Sequence, residues 1–204
     1  PRNIKKDLKI LKKNKKIDFV YLPKFKDIYK DKNKSKIKLH KKDKILCAKF
    51  RKGHFEGVLD VMDKLTKIVN PQKIFMGEKD FQQLYLVKKL LEKKYKTKVI
   101  PCKTIRDKNN VALSSRNFLL NKSNLNVAKN IYKKLVRIKK NINKKNNISD
   151  FLNSEKNKLK NIYQIEIDYL ELRNINNLKI SNTNKNSRLF IAYYLNNVRL
   201  IDNL

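Results

Sequence analysis

Apolar residues recur along this chain at two different spacings, and the changes between them mark out its elements. In residues 1–16, Ile4, Leu8 and Leu11 lie one helical turn apart among lysines, which predicts a basic amphipathic helix. Residues 17–22 are an apolar run closed by Pro23, which predicts a strand. Residues 24–44 are lysine-rich and irregular; a mobile surface loop is expected, with a short strand at 36–39. Helical spacing returns over residues 58–69, with Val58, Val61, Met62, Leu65, Ile68 and Val69 inward and Asn70-Pro71 as the stop. Residues 73–76 read as a short buried strand. Phe81, Leu84, Val87 and Leu91 then mark a helix, and residues 97–100 a strand closed by Pro101. The order from residue 17 is strand, loop, helix, strand, helix, strand, which argues for a parallel sheet covered by helices.

Past Asn121 the pattern changes. Ser123 reads as the N-cap of a helix reaching about residue 140, with Val127, Ile131, Leu135 and Ile138 inward. Residues 139–147 are rich in Lys and Asn and read as a linker. A short helix over residues 149–160 follows. Residues 165–172 alternate apolar and acidic, the mark of a half-exposed strand. Residues 188–195 and 198–201 are two more strands joined by an Asn196-Asn197 hairpin turn. Helices followed by strands predict a small α+β domain.

Composition adds limits. The chain has 204 residues, 40% hydrophobic, which is enough for a core despite 34% charged residues. No apolar run approaches the roughly 20 residues of a membrane helix, so no membrane partner is expected. The net charge of +34 fits nucleic-acid binding through counterion release, but the lysines spread along the chain instead of forming a stripe. With Asn also abundant and Gly, Pro and Trp scarce, drift in a low-GC genome explains the charge better. Nucleic acid is therefore not the expected partner, although a basic field attracts any anionic substrate. Cys47 and Cys102 lie far apart with no CxxC, which suggests a reducing compartment and not a disulfide framework. His40 and His54 form no zinc-ligand spacing with them, and no metal ligands are assigned. Gly53, Gly57 and Gly77 cluster in a glycine-poor chain, which suggests positions needing backbone freedom or close approach.

The candidate chemistry lies in two stretches. Gly77-Glu78-Lys79-Asp80-Phe81-Gln82-Gln83-Leu84 joins a strand to a helix, the turn that lines the ligand crevice of an open α/β sheet. The helix start offers N–H groups to an anion, Lys79 adds a full charge, Asp80 accepts from hydroxyls, and Gln83 lies a turn away. Leu113-Ser114-Ser115-Arg116-Asn117, after a turn at 107–110, supplies hydroxyls, N–H groups and a guanidinium suited to phosphate. Each stretch on its own is equally a helix cap with surface polars. Arg51 and His54, in a second glycine-bearing turn over residues 50–57, stand within reach of a ligand or are merely solvated. Glu166 and Asp168 are read as the solvent face of a strand, not as an acid–base pair.

Together the two stretches resemble the pantothenate synthetase (pantoate–β-alanine ligase) family. The Gly53-His54-Phe55 turn and the ending Arg199-Leu200-Ile201-Asp202-Asn203 are similar to that family too, so the resemblance runs over essentially the whole chain. It implies an incomplete Rossmann-like nucleotidyltransferase domain with a parallel sheet over residues 1–102, and a small α+β C-terminal lid domain over 103–204. It implies ligation of pantoate to β-alanine through a pantoyl adenylate, with ATP as substrate, Mg²⁺ accompanying it, and AMP and pyrophosphate released. It assigns ATP binding to Gly77, Glu78, Lys79, Asp80, Ile105, Leu113, Ser114, Ser115 and Arg116 and pantoate binding to Gln83. Lys79, Ser114, Ser115 and Arg116 would be catalytic. It also implies a homodimer in the cytoplasm.

Two departures from that family stand out. Asn110-Val111 takes the place of a glycine before the second stretch, and Asn tolerates the left-handed backbone such a turn needs. The family's His-x-Gly-His motif and its upstream glutamine have no counterpart in residues 1–204. The expectation is a fragment of a longer ligase, with an inactive truncated remnant or a basic nucleic-acid-binding protein as alternatives.

Overall fold

The computed structural model describes residues 3–29 and 37–204, in two compact units, residues 1–36 and 37–204. The first unit contains α1 (Ile4–Lys13), capped by the Asn3 side chain, which accepts from the Lys6 N–H at 3.0 Å. It also contains the short α2 (Phe25–Ile28), with Phe25 stacked on Tyr29. The strand expected over residues 17–22 is not formed. No second strand among the described residues of this unit offers it a ladder, and Phe19 is 94% exposed. A strand without a partner leaves its N–H and C=O groups to water and gains nothing from its extended shape. The short strand expected at 36–39 is likewise absent from its described part, residues 37–39; Lys36 lies outside the described residues.

The second unit opens with α3 (Cys47–Phe50) and α4 (His54–Val69), followed by β1 (Lys73–Gly77), α5 (Phe81–Lys94) and β2 (Lys98–Cys102). β1 and β2 pair in parallel, Lys73 opposite Lys98 through Gly77 opposite Cys102. β2 runs through Pro101 instead of stopping before it, as an edge strand permits when the missing N–H faces away from the ladder. α4 starts a turn earlier than its apolar pattern suggests, at His54, because Gly53 caps it with φ +76°. Its buried face is therefore Phe55, Leu59 and Thr66, with Met62 packed beside them, while Ile68 and Val69 are exposed. Gly57 lies inside that helix and Gly77 has φ −69°; a Cβ added at either meets nothing within 4 Å, so neither position requires glycine within the chain itself.

α6 (Lys122–Asn141) follows, capped by Asn121 and not Ser123, then a 3₁₀ turn and α7 (Ile148–Tyr163). The expected linker carries Ile142, which is fully buried, so part of it belongs to the core. β3 (Ile167–Asn174), β4 (Ser187–Leu195) and β5 (Val198–Asn203) form an antiparallel sheet in that order. Both faces of this sheet are covered. Leu189, Ile191, Tyr193 and Leu195 pack with α6 and α7; Phe190 and Ala192 pack with α4, α5 and the residues before them. Two covered faces explain why β4 reads as a continuous apolar run. Asp168 is consequently not on a solvent face: its carboxylate accepts from Arg199 Nε at 2.8 Å. The architecture is α/β, with a small parallel sheet and an antiparallel sheet.

Candidate active site

β1 ends at Gly77, a 3₁₀ turn covers Glu78–Asp80, and α5 begins at Phe81. Asp80 occupies the N-cap position, yet its side chain makes no capping hydrogen bond. Gln82 and Gln83 then separate in role. Gln82 is buried: its Oε1 accepts from the Ala48 N–H, and its Nε2 donates to the Asp43 and Ile45 carbonyls. Gln83 instead lines a small cleft with Lys79, Asp80, Arg51, His54 and Cys47.

The second stretch folds back on itself. Asn110 has φ +63°, the left-handed turn that its place in the sequence called for. Asp107 Oδ1 accepts from the Asn109 and Val111 N–H groups, and the Leu113 N–H donates to the Ile105 carbonyl at 2.9 Å. The Ser114 hydroxyl accepts from the Arg116 N–H and starts the 3₁₀ turn Ser115–Leu119, so the capping role is real. Ser114 and Arg116 nevertheless line a second small cleft together with Lys79 and Arg199. The two clefts share Lys79, Ile201 and Asp202. Thus Lys79, Asp80, Gln83, Ser114 and Arg116 come together, while Gly77, Glu78, Ile105, Leu113 and Ser115 lie outside the lining of both clefts. The Glu78 carboxylate is engaged by Arg188 at 2.8 Å.

The charge in this region is positive and partly desolvated. Burial first, then the Arg116 and Arg199 guanidiniums, lower the pKa of Arg51. Burial and Arg51 lower that of His54, against the pull of Asp80, so its imidazole is neutral at pH 7. Burial opposes the charge on Arg199, but its bonds to Cys47 Sγ at 3.4 Å and to Asp168 outweigh it and raise its pKa. Arg199 Nη2 is buried without a hydrogen-bond partner. Burial, reinforced by Cys47, also pushes the Tyr169 hydroxyl up; it stands 3.1 Å from Cys47 Sγ. Such a set of cations and N–H groups stabilises phosphate and carboxylate charge. Among the described residues no three His, Cys, Asp or Glu side chains form a metal-binding group.

Of the residues that hold the two stretches together, Arg116 was read as a site residue from the sequence, while Arg106, Asp202 and Asn203 were not. Arg106 grips Asp202 with both terminal nitrogens, at 2.7 and 2.8 Å, and lies over the Tyr132 ring. Arg116 Nη1 donates to the Arg199 carbonyl at 2.8 Å. Asn203 reaches the turn at Glu78 and Lys79. Their partners are about a hundred residues away, so no local spacing could reveal them. The nearest signal was an acid placed among the apolar residues of the last strand.

The family model described as Pantoate-beta-alanine ligase matches residues 1–204. The chain belongs to that family. Family members are ligases that join pantoate to β-alanine. A pantothenate synthetase of Endomicrobium trichonymphae is 36% identical over 206 residues, covering 100% of this chain and 72% of that protein. One from Flavobacterium psychrophilum is 38% identical over 212 residues, with 100% and 74% covered. Among solved structures, pantothenate synthetase from Thermus thermophilus superposes with a TM-score of 0.89 at 26% identity, covering 100% of this chain and 75% of that one. The Francisella tularensis pantoate-β-alanine ligase, solved with Beta-gamma ATP and β-alanine, gives 0.79 at 34% identity, with 100% and 70% covered. The α/β fold is thus that of the pantoate–β-alanine ligase family. No described helix is long and apolar enough to cross a membrane.

Proposed function

We propose that this chain condenses pantoate with β-alanine through a pantoyl adenylate. A pantoate carboxylate oxygen attacks the α-phosphorus of ATP, the bond to the β-phosphate breaks, and pyrophosphate leaves. The β-alanine nitrogen then attacks the acyl carbon, the acyl–oxygen bond breaks, AMP leaves, and the nitrogen loses its proton to solvent. The observation that carries this reading is the position of Lys79 in the lining of both clefts, between Gln83 on one side and Ser114 and Arg116 on the other. Pantoate beside Gln83 and phosphates beside Ser114 and Arg116 would meet at Lys79. Adenylation needs its charge there, since the reaction depends on positioning and on neutralising the phosphoryl oxygens.

In this reading Gly77, Glu78, Lys79 and Asp80 form the first ATP segment, with Lys79 on phosphate and Asp80 on the ribose hydroxyls. Ile105 offers its backbone near adenine. Leu113, Ser114, Ser115 and Arg116 form the second ATP segment, and Gln83 holds pantoate. Mg²⁺ enters with ATP, held by phosphates and water more than by protein. The ATP and β-alanine named for the Francisella tularensis structure support the substrate set. Residues 1–102 belong to the nucleotide-binding domain and 103–204 to a lid, and the protein acts as a homodimer in the cytoplasm.

The test is oxygen transfer. Pantoate carrying heavy oxygen in its carboxylate is expected to deliver one labelled atom to AMP. Label appearing in inorganic phosphate, or AMP free of label, would contradict an acyl adenylate.

A further inference from the structure

Asn203, at the end of β5, is buried, 4% exposed, and spends its side chain on the turn that carries Lys79. Its Nδ2 donates to the Glu78 carbonyl at 2.9 Å and to the Lys79 carbonyl at 3.0 Å. Its Oδ1 accepts from Arg188 Nη1 at 2.8 Å. Arg188 in turn pairs with the Glu78 carboxylate at 2.8 Å and lies 4.7 Å from the Phe81 ring centroid. One residue earlier, Asp202 is held by Arg106, whose Nη1 also donates to the Asn110 carbonyl of the second stretch. β5 therefore touches both clefts' walls through adjacent residues: Asn203 on the Lys79 turn and Asp202, through Arg106, on the Asn110 turn.

We propose that Asn203 is a positioning residue for Lys79, fixing the Glu78–Lys79 backbone so that the ammonium stands at the junction of the two clefts. This rests on the adenylation reading above. The Glu78–Asp80 turn is a single 3₁₀ turn whose Asp80 makes no capping bond of its own, so its backbone is fixed from outside. An amide is suited to the task because it donates to two carbonyls while accepting from a guanidinium. A carboxylate of the same size keeps the acceptor for Arg188 but turns an oxygen toward two carbonyl oxygens. Asn203→Asp thus removes the clamp and spares the volume and the Arg188 bond.

The experiment measures pantoate-dependent pyrophosphate release by Asn203→Asp in the complete protein, alone and in a Lys79→Ala background. The expected kcat loss is about a hundredfold, the cost of misplacing a catalytic group by about 1 Å, with KM for ATP changed less than about threefold. In the Lys79→Ala background the same substitution is expected to cost less than about threefold, because it acts through Lys79. A kcat within about threefold of the parent overturns the proposal. So does an equal loss in both backgrounds, or a protein whose circular dichroism shows that it no longer folds; each makes Asn203 structural only. Lys79→Ala that releases pyrophosphate at the parent rate overturns the adenylation reading itself, and the proposal with it.

Discussion

At the scale of single residues, burial decides which polar groups are structural and which are available. Gln82 and Gln83 are neighbours of the same type, yet one is spent on three backbone groups and the other lines a cleft. Helical phase does not foretell this split, since Gln83 and not Gln82 lies one turn before Val87; the backbone of residues 43–48 takes up Gln82. The Arg106–Asp202 pair is almost fully enclosed, with side chains 17% and 9% exposed. Removing one partner of such a pair strands the other charge, at about 3–5 kcal/mol. Arg106→Leu is therefore expected to lower Tm by roughly 6–20 °C, at about 2–4 °C per kcal/mol for a chain of this size. A shift under about 2 °C in calorimetry would show that Asp202 finds another partner. His54 has its pKa lowered in the folded chain by burial and by Arg51. Below its ordinary value of about 6.5 the unfolded chain binds the proton more readily, so this contribution is whole above that pH and lost as pH falls through the folded pKa. His54→Gln should narrow the Tm difference between about pH 7.5 and pH 5.5. An equal or wider difference in parallel thermal melts would contradict the assignment.

At the scale of elements, the sequence was legible where a local signal and a tertiary partner agreed. The Asn196-Asn197 turn has both residues left-handed, at φ +45° and +62°, and pairs Leu195 with Val198 as its strands require. The helix after Lys79 follows its apolar spacing, while the strand before it forms where expected but is not buried: in a two-stranded sheet Phe75 is 66% exposed. Residues 17–22 show the opposite case: strand composition with no ladder partner in their unit gives no strand. On α4 the turn of helix beginning at Gly53 moved the buried face to Phe55 and Leu59, because the helix is apolar on more than one side. Asn110 gives a direct test of turn chemistry. Its φ of +63° costs a β-branched residue roughly 1–2 kcal/mol and glycine nothing. Asn110→Val should reduce unfolding free energy in denaturant by about that amount and Asn110→Gly should leave it within about 0.5 kcal/mol. Equal effects would mean that the turn relaxes out of the left-handed region.

At the scale of the whole molecule, the site is built by bringing the chain's last strand against stretches far earlier in the sequence. The apolar pattern gave both stretches but not their meeting, because it records which face is buried and not what covers it. The antiparallel sheet, covered on both faces, sets that meeting by holding β5 against the Glu78–Asp80 turn and the Asn110–Arg116 segment. The net charge of +34 acts over the same scale. It raises the local concentration of anionic substrates, so KM for ATP should climb with ionic strength while kcat stays level. A KM flat in salt would leave only the local cations to attract the nucleotide. The measurement closest to the central claim is exchange of labelled pyrophosphate into ATP. Exchange that requires pantoate, proceeds without β-alanine and falls steeply, to a small but measurable rate, in Lys79→Ala is the expected result. Exchange that needs β-alanine, or that Lys79→Ala leaves intact, would contradict adenylation at Lys79.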